Sequence, residues 1–209
     1  MTVIGPRRLA PVTGPRGAVA PAPAPLPAAF RRALADLRTA RPRPEVRLRE
    51  IAAPAGQAPH AVALAAEVCG SPGADDVLAT GRFVLLHDPS PAARWPGGFR
   101  AVTWIRASLE PDVALDQLAG AVAWTWLVEA LERRHAEHTQ AGGTATRSIA
   151  EGFGTLGTAP DATDIELRAS WTPAPLDLGA HLEAWSDMIG AFAGLPPEAG
   201  DDAPAAPGP

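Results

Sequence analysis

Apolar and polar residues alternate most regularly between Phe99 and Leu109. Phe99, Ala101, Thr103, Ile105 and Leu109 take one face of an extended chain, and Arg100, Trp104 and Arg106 take the other. A period of two predicts an antiparallel strand buried on one side. Residues 163–171 repeat it, with Ile165, Leu167, Ala169 and Trp171 set against Asp164, Glu166, Arg168 and Ser170. Residues 45–51 form a short strand with Val46 and Leu48 on one face. Residues 60–68 alternate too and are read as a strand, although their alanines also suit a helix. Residues 78–88 are apolar on both faces, which predicts a central strand, and residues 144–153 complete the set.

Three segments have helical spacing instead. In residues 28–39, Phe30, Ala33, Leu34 and Leu37 form one stripe; Pro27 opens the helix, and Pro42 and Pro44 close it. A long helical region runs from a cap at Asp112 to about Thr139, with a break at Gly120, and Gly142-Gly143 ends it. In the last helix, capped by Asp177, Leu178, Leu182, Trp185, Ile189 and Phe192 step by four and three. Gly194 and Pro196 stop it.

The order is α-β-β-β-β-α-β-β-α. No βαβ alternation dominates, so the expected class is α+β: a mostly antiparallel sheet of five to six strands with helices on one face. This order is similar to the secretion-chaperone-like fold with one strand added. Residues 1–27 are rich in Ala and Pro and include AVAPAPAPLP, and residues 196–209 repeat that composition. Both have little to bury and are expected to be disordered tails around one domain at 28–195.

Composition narrows the class further. The chain has 209 residues and one cysteine, Cys69, which excludes an internal disulfide and a Cys-rich zinc module and fits a cytoplasmic setting. No apolar run is long enough to span a bilayer. Arg7-Arg8 invites a twin-arginine export reading, but Pro11, Pro15 and Arg16 break the apolar stretch it needs. All 18 basic residues are arginine, the mark of a GC-rich genome. Residues 1–49 hold ten Arg against Asp36 and Glu45, a net of +8, while the remainder carries −13. A basic arm beside an acidic body suits RNA or membrane contact, or an arm lying on its own domain.

Candidate chemistry is sparse. Gly152-Phe153-Gly154-Thr155-Leu156-Gly157 matches G-x-G-x-x-G, but Pro160 and a strand follow where a dinucleotide site needs a helix N-terminus. It reads as a hairpin loop, and no cofactor is implied. His135 and His138 share a face of the predicted helix, but two ligands make no metal site. His87-Asp88 ends the predicted central strand, where it is either a functional pair or a strand running into an Asp-capped turn. With His181 it gives the one enzymatic reading. Cys69, beside a Gly/Pro-rich turn, has no basic neighbour in sequence to activate it.

The tryptophans say more. Trp171 and Trp185 fall on apolar faces and belong to the core. Trp124 and Trp126 point to opposite sides of their helix. Trp104 shares the polar strand face with Arg100 and Arg106, either as a self-satisfied patch of cation–π and ion-pair contacts or as a binding face. Arg168 on the neighbouring strand pattern adds to it. RNA-binding sheets use the same pairing of stacking and charge. The candidate binding residues are Arg100, Trp104, Arg106, Arg168, His87 and Asp88.

The segments FRRALADLRTARPRPEVRLREI, LATGRFVLLHDPSP, FRAVTWIRASLEPD, TATRSIAEGFG, ELRASWTP and LGAHLEAW resemble an actinobacterial family known only as a domain of unknown function, the one numbered three thousand, over about residues 28–197. The resemblance implies no activity, cofactor or catalytic residue. Members encoded near a ribonuclease D-like gene imply a link to RNA. The expected function is a non-enzymatic cytoplasmic binding or adaptor domain with a protein partner or a second copy of itself. The alternatives are an RNA-associated protein and an enzyme with its site near His87 and Asp88.

Overall fold

The computed structural model describes residues 25–70, 76–90, 94–109, 116–157, 162–174 and 177–197. The sequence-predicted tails lie almost wholly outside these residues, as does the Asp112 cap. Helix α1 spans Ala28–Thr39, and strands β1 (Val46–Ile51), β2 (His60–Cys69), β3 (Val77–His87) and β4 (Phe99–Leu109) follow. Then come α2 (Ala119–Arg133), β5 (His138–Ala150), β6 (Ala162–Pro173) and α3 (Leu178–Phe192). The fold is α+β in the expected element order.

The six strands form one antiparallel sheet in the order β1-β2-β3-β4-β6-β5. After β4 the chain passes through α2 to the far edge, lays down β5, and returns so that β6 fills the gap between β4 and β5. The described helices cover one face. There Phe83, Ile105, Leu167 and Trp171 meet Leu127 and Leu131 of α2 and the α3 stripe. Helix α3 packs against both other helices and onto β3 and β4, so burial extends around most of its surface. Asp177 caps it as expected, Oδ1 accepting from Ala180 N at 3.1 Å.

Residues 60–69 are a strand as expected, so the alternation outweighs the alanine content. Two expectations are corrected. The long helix ends at Arg133, before Thr139, and His138 already belongs to β5. Gly142-Gly143 lies inside β5, just past a bulge between Thr139 and Gly142 at which Gln140 takes φ 52°. A Cβ on Gly143 would sit 2.5 Å from the Arg168 carbonyl oxygen, so the two backbones touch where glycine stands. In consequence His135, with φ 50°, and His138 do not share a helix face.

Candidate functional site

No described helix covers the other sheet face, and its residues follow from the strand register. One row crosses all six strands in order: Arg49, Ala65, Arg82, Trp104, Arg168 and Thr144. It brings together three guanidinium groups and one indole, with no carboxylate among them. The next row holds Arg47, Glu67, Thr80, Arg106, Glu166 and Thr146. With Arg100, six arginines share this face with Glu67, Asp164 and Glu166, so the open face is basic on a chain of net charge −5.

Trp104 is the centre of this face. The Arg82 guanidinium lies over its ring, 6.0 Å from the centroid. Its indole N–H donates to the Glu166 carboxylate, the main reason that this carboxyl is held below its ordinary pKa, with Arg168 second. Arg168 Nε donates to Glu166 Oε1 at 2.6 Å. These residues wall a groove of about 730 Å³, with Val84 and Val102 along its floor and the side-chain-free Gly142 and Gly143 opening it toward β5.

The predicted arginines divide by role. Arg100 is half-buried and serves the framework: it donates to Ser170 Oγ at 2.6 Å, Thr172 Oγ1 at 3.1 Å and the Gln140 carbonyl at 3.0 Å. Its neighbours there are neutral, and burial lowers its pKa. Arg106 pairs with Asp164, which also accepts from Ser108 at 2.8 Å; the Arg106 hydrogen bond is the main reason that the Asp164 carboxyl lies below its ordinary range. Arg168 faces the groove. The residue missed at sequence level is Arg82. It sits in a strand that reads as apolar throughout, and only the β3–β4 register brings it beside Trp104. Arg49 and Arg82 make no hydrogen bond or ion pair with the described residues.

His87 and Asp88 do not converge. His87 is buried on the helix side, stacked on Phe99 at 4.2 Å and on Phe30 at 5.8 Å. Its Nδ1 donates to the Gly98 carbonyl at 2.9 Å, and its Nε2 is buried without a hydrogen bond. Desolvation lowers its pKa. Asp88 turns outward and accepts from Ser90 N at 2.9 Å, capping the turn. His181 is sealed in the core, where both ring nitrogens are engaged by Trp171 and by the Glu137 backbone.

The remaining candidates stay apart. Cys69 is buried at the end of β2. Gly154–Leu156 form a short 3-10 turn between β5 and β6, flanked by exposed residues. Among the described residues no three His, Cys, Asp or Glu side chains cluster as metal ligands.

No helix among the described residues is long and apolar enough to cross a membrane. No curated protein and no solved structure matches the chain. The model of the family described as "Protein of unknown function (DUF3000)" matches residues 26–201, and the chain belongs to that family.

Proposed function

We propose that this chain is a non-enzymatic cytoplasmic binding or adaptor domain that receives an acidic protein segment on its open sheet face. The row Arg49–Arg82–Trp104–Arg168 carries this reading. Arg49 and Arg82 present guanidinium donors that the described residues do not neutralise, and a half-buried indole flanked by guanidinium groups is the composition of a recognition hot spot. The groove beside them is open, with Val84 and Val102 at its base, which suits an extended segment better than a compact, enclosed substrate.

A second reading is single-stranded RNA, favoured by one observation: Trp104 lies between Arg82 and Arg168 in the same row. A base stacked on the indole would have a guanidinium on either side for phosphate. An acidic peptide and a labelled oligouridylate titrated in parallel against the intact chain and the Arg82→Ala/Arg168→Ala variant separate the two. The peptide is expected to bind the intact chain and lose at least ~10-fold in the variant, about 1.4 kcal/mol. Tight, steeply salt-dependent oligouridylate binding would move the assignment to RNA. Equal behaviour of variant and parent toward both ligands would refute the face as the binding surface.

A further inference from the structure

The two edges of the sheet are built differently. β1 is six residues long, and Arg47, Arg49 and Glu50 make half of it charged, a usual defence of an edge against pairing with another chain. β5 is thirteen residues long, with only His138 and Arg147 among its titratable side chains. It pairs along one side, with β6, and is exposed almost throughout. Its bulge lies at the start, between Thr139 and Gly142, so the second half is the regular part. Beside that half stand exposed apolar side chains: Ile149 at 59% and Phe153 at 79% accessibility, with Leu118 at 64% on the start of α2.

We infer that a second copy of this chain pairs antiparallel with residues 145–153 of β5 and its extension, about a two-fold axis at Ile149. Residues opposite each other in an antiparallel pair share a face, so the helices of both copies fall on one side when odd-numbered residues meet odd-numbered residues. Centring on Ile149 places Ile149 against Ile149, Arg147 against Glu151 twice over, and Phe153 against Ala145. Arg147 already donates Nη1 to the Asp116 carbonyl at 2.6 Å, and a guanidinium has five donors, enough to serve a carboxylate as well. Ala145 lies against the start of α2, where an added Gly120 Cβ would be 3.3 Å from it. The partner's Phe153 would therefore be covered there. The register is self-complementary in charge and in apolar surface, as a two-fold interface requires.

A nine-residue pair at ~3.3 Å per residue is ~30 Å long. Such a contact falls at the transient end of protein interfaces, so the dimer is expected to depend on concentration. The result is a twelve-stranded sheet with both basic rows on the same face. The pairing stands independently of the binding reading, because it is measured by mass and not by ligand.

Light scattering or sedimentation of the full chain across micromolar concentrations tests it. The mass is expected to rise from one chain to two. Ile149→Lys should hold the protein monomeric, Arg147→Glu should weaken the dimer, and Arg147→Glu with Glu151→Arg should restore it. Ile149→Cys in a Cys69→Ala background should form a cross-linked dimer on mild oxidation, since opposed strand residues lie within disulfide reach. A mass of one chain at every concentration, or a dimer indifferent to Ile149→Lys, overturns the inference.

Discussion

Trp171 of β6 donates its indole N–H to Nδ1 of His181 on α3 at 3.1 Å, in the core between sheet and helix. His181 Nε2 in turn faces the Glu137 backbone carbonyl. One imidazole thus joins the last strand, the last helix and the turn before β5, and it does so only in its neutral form, because Nδ1 must accept.

Burial pushes the His181 pKa down to about 4, so the folded state resists the proton that the unfolded chain takes up near 6.5. Stability from this residue is complete above pH ~6.5 and is lost as pH falls toward 4, by about 3 kcal/mol. His87 is shifted in the same direction, again by burial. Urea unfolding at pH 7, 5.5 and 4.5 should show falling stability, and His181→Gln should flatten that slope. An unchanged slope in the variant would remove His181 from the account.

Trp185 donates its indole N–H to Thr103 Oγ1, and Thr103 donates to the Arg82 carbonyl at 3.0 Å. Thr103→Val keeps the shape and removes both bonds, leaving a buried indole N–H unpaired. Denaturant titration should show a loss of ~1–3 kcal/mol.

Gly81 lies beneath α3 at the middle of β3. An added Cβ would come 2.7 Å from Ile189 Cδ1 and 2.9 Å from Trp185 Cζ2. Both neighbours are fully buried and cannot move aside. Gly81→Ala should therefore destabilise by ~1–3 kcal/mol, seen as a lower Tm.

Arg134, at the end of α2, grips Asp187 of α3 through Nε at 2.7 Å and Nη2 at 2.9 Å. Asp187 is buried. Arg134→Ala should cost ~2–3 kcal/mol, chiefly through the carboxylate it strands. Adding Asp187→Asn should recover part of the loss. If the double variant is no more stable than Arg134→Ala, the pair is not the reason.

The open face should behave in the opposite way. Arg82→Ala removes an exposed side chain that braces only Trp104, so stability should stay within ~0.5 kcal/mol while partner binding falls. A stability loss as large as that of Thr103→Val would make Arg82 a framework residue.

Half of this face was legible without coordinates. The segment Phe99–Leu109 has one buried side, so burial writes a period of two into it, and Trp104 with Arg106 can be placed opposite the core. β5 has no buried side, and its small residues carry no alternation, so its first residues continue the helical pattern before them and its glycines read as a stop. Arg82 was hidden for another reason. Its neighbours Phe83, Val84, Leu85 and Leu86 are apolar on both faces of a central strand, and one charge does not break that pattern. Knowing that β3 and β4 pair with Thr103 opposite Phe83 is enough to expose it.

The insertion of β6 between β4 and β5 has a consequence for synthesis. β5 emerges from the ribosome before its sheet neighbour, and α3, which closes much of the core, follows later still. The β4–β6 pairing, from Leu109 with Thr163 to Ala101 with Trp171, joins residues far apart in sequence, the kind of closure that is slow. A nascent chain halted before residue 162 should hold at most the four-stranded β1–β4 unit, with β5 open to protease. One extended past α3 should protect it.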